Sequence, residues 1–73
     1  MFDLSVASAH HVRHYCVTLA GESGWEVTIE EDCAVRFRET LDDWHHVERR
    51  VARMRREVSE LLDSGWQIQP LNQ

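Results

Sequence analysis

With 73 residues, the chain can form one small domain, in the size range where folding buries only about 60% of the unfolded surface. Hydrophobic residues at 42% and charged residues at 29% match a soluble globular protein, and no run approaches the roughly 20 consecutive apolar residues that a membrane-spanning helix requires. A formal net charge of −5 disfavours nucleic acid as a partner, because that binding depends on neutralising phosphates.

Residues 1–11, rich in Ser, Ala and His, show little periodicity and read as a flexible arm. Three period-two segments follow, each with one apolar face, the pattern of half-buried strands. In residues 12–20, Tyr15, Val17 and Leu19 alternate with Cys16 and Thr18. In residues 25–30, Trp25, Val27 and Ile29 alternate with Glu26, Thr28 and Glu30. In residues 33–38, Cys33, Val35 and Phe37 alternate with Ala34, Arg36 and Arg38.

Antiparallel neighbours share a face where they stand opposite each other, so the apolar sets must align. A loop at residues 20–24 sets Leu19 opposite Trp25, Val17 opposite Val27 and Tyr15 opposite Ile29. A loop at residues 30–32 sets Trp25 opposite Phe37, Val27 opposite Val35 and Ile29 opposite Cys33. A tighter loop at Glu31 and Asp32 would set Val27 opposite Arg36 and mix the faces. The expectation is a three-stranded antiparallel meander whose polar face carries Thr18, Glu26 and Arg36 in one row.

A long amphipathic helix is expected over residues 41–64, with Thr40 as N-cap and Asp43 completing a variant capping box. Gly65 suits the left-handed position beyond its C-terminus. Trp66 to Gln69 alternates again as a short strand, and Pro70, which cannot donate to a ladder, makes that strand an edge. The fold class is therefore α+β, in the order β-β-β-α-β, with residues 1–73 as a single domain.

On the helix, Trp44, Val47, Val51, Met54, Val58 and Leu61 recur at spacings of three and four, a heptad-type seam. At 1.5 Å per residue the helix would span about 36 Å, whereas strands of six or seven residues reach only about 20–23 Å. An apolar seam projecting beyond its sheet calls for a second chain. The expectation is a homodimer in which Val47, Val51, Met54, Val58 and Leu61 pair between copies, or in which the helix or last strand is domain-swapped.

No catalytic or cofactor motif stands out, and neither an enzymatic role nor a cofactor is expected; the alternative is a metal-dependent or acid–base site built on His14, Cys16, His45, His46 and Glu48. All eight basic residues are Arg, and five fall together at Arg49, Arg50, Arg53, Arg55 and Arg56. Arg49, Arg53 and Arg56 form one outward stripe, suited to carboxylates or phosphates because the guanidinium fork bonds bidentately. No aromatic residue interleaves them, so an acidic protein surface is the expected partner rather than nucleic acid. Residues with metal-ligand chemistry are His10, His11, His14 and Cys16 in an H-H-x-x-H-x-C run, and His45 and His46 with Asp42 and Glu48 at the start of the helix. Their spacing matches no common zinc module, so no metal site is assigned. The N-terminus carries Asp3 where a secretory leader would be basic, and two cysteines are too few for a disulfide framework. A cytoplasmic location is the expectation, and the functional expectation is a small non-enzymatic interaction or regulatory module.

Overall fold

A computed structural model of the chain describes residues 2–69. Five strands, β1 (Phe2–Ala7), β2 (Val12–Leu19), β3 (Trp25–Glu31), β4 (Ala34–Leu41) and β5 (Gln67–Gln69), form one antiparallel sheet. The single helix α1 (Trp44–Asp63) lies between β4 and β5 in sequence. The sheet order is β4-β3-β2-β1-β5. The architecture is α+β, with one more strand than the sequence pattern indicates.

The extra strand corrects the reading of residues 1–11 as an arm. Phe2, Leu4 and Val6 alternate with Asp3 and Ser5, and β1 pairs on one side with β2 and on the other with β5. Val6 is fully buried. A strand this short, with Ser and Ala among its residues, has a weak local signal; its ladder bonds on both flanks supply what local propensity does not. Pro70, the expected stop of the last strand, lies outside the described residues.

The β2–β3 hairpin has the expected register: Leu19 stands opposite Trp25, Val17 opposite Val27 and Tyr15 opposite Ile29. The β3–β4 hairpin does not. Its loop is Asp32 and Cys33, both at positive φ (55° and 70°), as a two-residue hairpin turn requires. A bulge follows, where Glu30 faces Val35 and Ile29 faces Phe37, leaving Arg36 as the extra residue. Beyond it Val27 faces Glu39 and Trp25 faces Leu41. The bulge reconciles the tight turn with face alignment, which a search confined to regular registers cannot find. Cys33 is accordingly exposed in the turn and not in the core, and Thr40, not Arg36, completes the row of Thr18 and Glu26.

The helix is shorter than expected. β4 continues through Thr40 and Leu41, and Asp43 is the N-cap, its side chain accepting from the His45 N–H at 2.9 Å. At the other end the Trp66 N–H donates to Leu61 and the Gly65 N–H to Leu62, with Gly65 at φ 104°. This is the Schellman arrangement, and only glycine adopts that φ without strain.

The length of α1 has a topological cause. It leaves β4 at one edge of the sheet and must deliver β5 to the opposite edge, beside β1. Five strands at about 4.8 Å spacing are about 19 Å wide, so a helix of 20 residues, about 30 Å, crosses the sheet obliquely. It packs on β3 and β4 as well as β5. Sheet width, not strand length, sets the span the helix has to cover. Val47, Met54 and Val58 are buried with Val6, Tyr15, Val17 and Val27, and Val51 and Leu61 pack against that core. The seam expected to pair two copies is thus covered by the chain's own sheet, and the argument for a dimer or a swap through it falls away.

Candidate functional site

Three regions bring together side chains with chemistry. The first is the outward face of α1. Arg49, Arg53 and Arg56 are exposed there, at the helical positions opposite Val47, Met54 and Val58. The arginines divide into two groups. Arg13, Arg36, Arg38 and Arg50 each have a carboxylate within 4 Å; the Arg50 Nη2 lies 2.7 Å from Glu39 on β4. Arg49, Arg53, Arg55 and Arg56 have none among the described residues. Glu57, one turn from Arg53, points inward instead of pairing with it. Arg55 lies over the Phe2 ring, 5.4 Å from its centroid, at the rim of a largely apolar groove of about 490 Å³. Phe2, Val17, Trp44, Val47 and Val51 line the groove, and Trp44 is 48% exposed.

The second region explains where Glu57 goes. Its carboxylate accepts from the Tyr15 hydroxyl at 2.5 Å and from Arg13 at 3.1 Å. Arg13 donates also to Glu31, at 3.2 Å, and its guanidinium lies over the Trp66 ring. Burial first, and then the Glu57 carboxylate, push the Tyr15 phenol up to about 12. This network ties α1 to β2 and β3. Its groups are already mutually satisfied, so it reads as a fastening of the fold.

The third region is the sheet face that α1 does not cover. Asp3 stands directly opposite Cys16, and His14 lies on the same face two residues before Cys16. His14 Nε2 is 2.5 Å from Asp3 Oδ1, and its Nδ1 is 3.9 Å from Glu30 on β3. An oxygen of Asp3, a ring nitrogen of His14 and Cys16 Sγ lie within 4.8 Å of one another. Burial, together with Asp3, Glu30 and Glu26, raises the Cys16 pKa, so the thiol is not an activated nucleophile. A second cluster of three, His11 with Glu31 and Asp32, lies at the β3–β4 turn. There Asp32 accepts from the Val12 N–H at 3.0 Å and lies 2.9 Å from His11; these two contacts hold its carboxyl below the usual range.

Of the ligand candidates in the sequence, His14 and Cys16 come together, His11 joins the separate cluster at the turn, and His10 and His45 stay apart. His10 is exposed on the β1–β2 connection. His45, 82% exposed, meets only Glu48, at 3.5 Å, in the first turn of α1. Asp3 is the residue that sequence reasoning missed. Its signal was the Phe2, Leu4, Val6 alternation, which places Asp3 on the polar face once residues 2–7 are recognised as a strand.

No known protein family, curated protein or solved structure matches the chain.

Proposed function

We propose that the protein is a small, non-enzymatic protein-interaction module. Its working surface is the outward face of α1, and its partner is an acidic protein segment. The observation that carries this reading is the division of the arginines. A chain of net charge −5 leaves Arg49, Arg53 and Arg56 on one stripe without a counter-ion among the described residues, while four other arginines are paired. Arginine forks in this setting suit carboxylates. The apolar groove beside the stripe offers a seat for one apolar side chain of the same segment, with Arg55 on its rim. Nucleic acid is the weaker reading, because the acidic remainder of the molecule repels phosphates and no aromatic residue interleaves Arg49, Arg53 and Arg56 on their stripe.

Self-association through Val47, Val51, Met54, Val58 and Leu61 is not part of this proposal, since those side chains pack on the sheet. We place the protein in a reducing compartment such as the cytoplasm, in keeping with two unbridged cysteines.

The test is fluorescence anisotropy with two labelled probes: a Glu/Asp-rich peptide containing one Leu, and a DNA oligonucleotide. The peptide should bind, and Arg49→Glu with Arg53→Glu should weaken it by about tenfold or more, because like charges set together cost several kcal/mol. Folding of the variant is checked by circular dichroism. Peptide binding unchanged by the double substitution would overturn the proposal. Tighter binding of the oligonucleotide, falling steeply with salt, would replace it with the nucleic-acid reading.

A further inference from the structure

The uncovered sheet face carries a second site, independent of the arginine stripe. Asp3, His14 and Cys16 converge there from β1 and β2, with their ligand atoms inside a 4.8 Å envelope. We propose that these three residues bind a divalent transition-metal ion of the zinc class.

The donor set selects the ion. Thiolate, imidazole and carboxylate are the three ligand types zinc takes from proteins, whereas calcium and magnesium take oxygen and would leave Cys16 and His14 unused. The geometry fits as well. Tetrahedral zinc holds sulfur at about 2.3 Å and nitrogen or oxygen at about 2.0–2.2 Å, which sets neighbouring ligand atoms about 3.3–3.6 Å apart. Asp3 and His14, at 2.5 Å, have to open by roughly 1 Å, and the thiol has to close by up to roughly 1.3 Å. Both are rotamer adjustments. The Asp3 and His14 side chains are part-exposed, so water can reach a bound ion.

Two observations separate this arrangement from a chance Asp–His pair. His14 has a carboxylate at each ring nitrogen: Asp3 at Nε2, and Glu30, which stands directly opposite His14 on β3, near Nδ1. A metal-bound imidazole characteristically directs its other ring nitrogen to such a carboxylate, which fixes tautomer and orientation. In addition, β1, β2 and β3 are the three interior strands of the sheet. His14 and Cys16 are therefore carried on backbone paired on both sides, and Asp3 on backbone paired with β2, the rigid setting a preorganised site needs. On binding, the Cys16 thiol loses its proton to solvent and the metal takes its place.

The experiment uses untagged full-length protein. Cobalt(II) is titrated first, because its visible spectrum reports geometry and its ultraviolet spectrum reports thiolate ligation. One equivalent should give the intense bands of tetrahedral cobalt and a sulfur-to-cobalt charge-transfer band. Zinc is then titrated in competition with a chromophoric chelator. Cys16→Ser should abolish the charge-transfer band and weaken zinc binding by more than about tenfold, and Glu30→Gln should weaken it by about 10–100-fold. His11→Ala, in the neighbouring cluster, should change neither. A six-coordinate cobalt spectrum without the charge-transfer band would overturn the proposal on the wild-type protein alone. So would zinc affinity that survives Cys16→Ser but is lost in His11→Ala, which would mark adventitious binding by an exposed histidine.

Discussion

On its inner face α1 presents Val47, Met54 and Val58 to the sheet, where Met54 is only 2% exposed. On its outer face Arg49, Arg53 and Arg56 stand in solvent without counter-ions among the described residues. Both faces belong to the same helix of 20 residues, about five and a half turns, yet different physics governs each. Spacings of three and four identify which side of a helix is buried, but not what buries it. Packed on a sheet, the inner face needs the same stripe that a coiled coil would need. The outer face has no such internal demand, so its composition is free to follow a partner.

The contrast is broken or sharpened first by stability. Met54→Ala should cost about 2–5 kcal/mol, a large share of the about 4–11 kcal/mol expected for a domain of this length. Arg53→Ala should stay within about 0.5 kcal/mol. Urea denaturation measures both. Similar losses for the two variants would mean that the faces are not functionally separate.

The fastening between α1 and β2 gives a pH signature. Folded Tyr15 holds its proton to about 12, against an ordinary 10.0. The folded state therefore binds the phenol proton more tightly than the unfolded state. That stabilisation is fully present below pH 10.0 and is lost as pH rises through about 12. The chain has a single tyrosine, so absorbance of the tyrosinate reports it without overlap from another. A midpoint near 10.0 would place the hydroxyl in solvent and detach Glu57 from the network.

A smaller effect lies at the β3–β4 turn, far from the outer face of α1. Cys33 sits at φ 70°, where a side chain costs about 1–2 kcal/mol and glycine loses about 0.5–1 kcal/mol in unfolded-state entropy. Cys33→Gly should raise stability by roughly 0.5–1 kcal/mol by that difference. Asp32 is better suited to its own positive φ, since its carboxylate accepts from the Val12 N–H.

Legibility in the sequence followed local determinacy. The β2–β3 register could be read because both strands are regular and each has one apolar face. The Schellman end of α1 could be read because Gly65 and Trp66 sit where the motif places them. The β3–β4 register could not, because the bulge at Arg36 changes the face of every residue before it relative to those after. Val35 shows the consequence: it faces Glu30 on the uncovered side of the sheet and is exposed, where a regular pattern would set it beside Phe37 on the apolar face. At the metal-ligand cluster, His14 and Cys16 were visible as an alternating pair. Asp3 was not, because its contribution depends on β1 pairing with β2, a contact between residues 13 apart in the chain.

The central claim is that α1 buries its apolar seam within its own chain. Molar mass by light scattering, at high salt so that contacts of the arginine face are screened, tests it most directly. A mass of 8.6 kDa is expected. A dimer that persists unchanged at high salt would contradict the claim, and would return Val47, Val51, Met54, Val58 and Leu61 to an interface between copies.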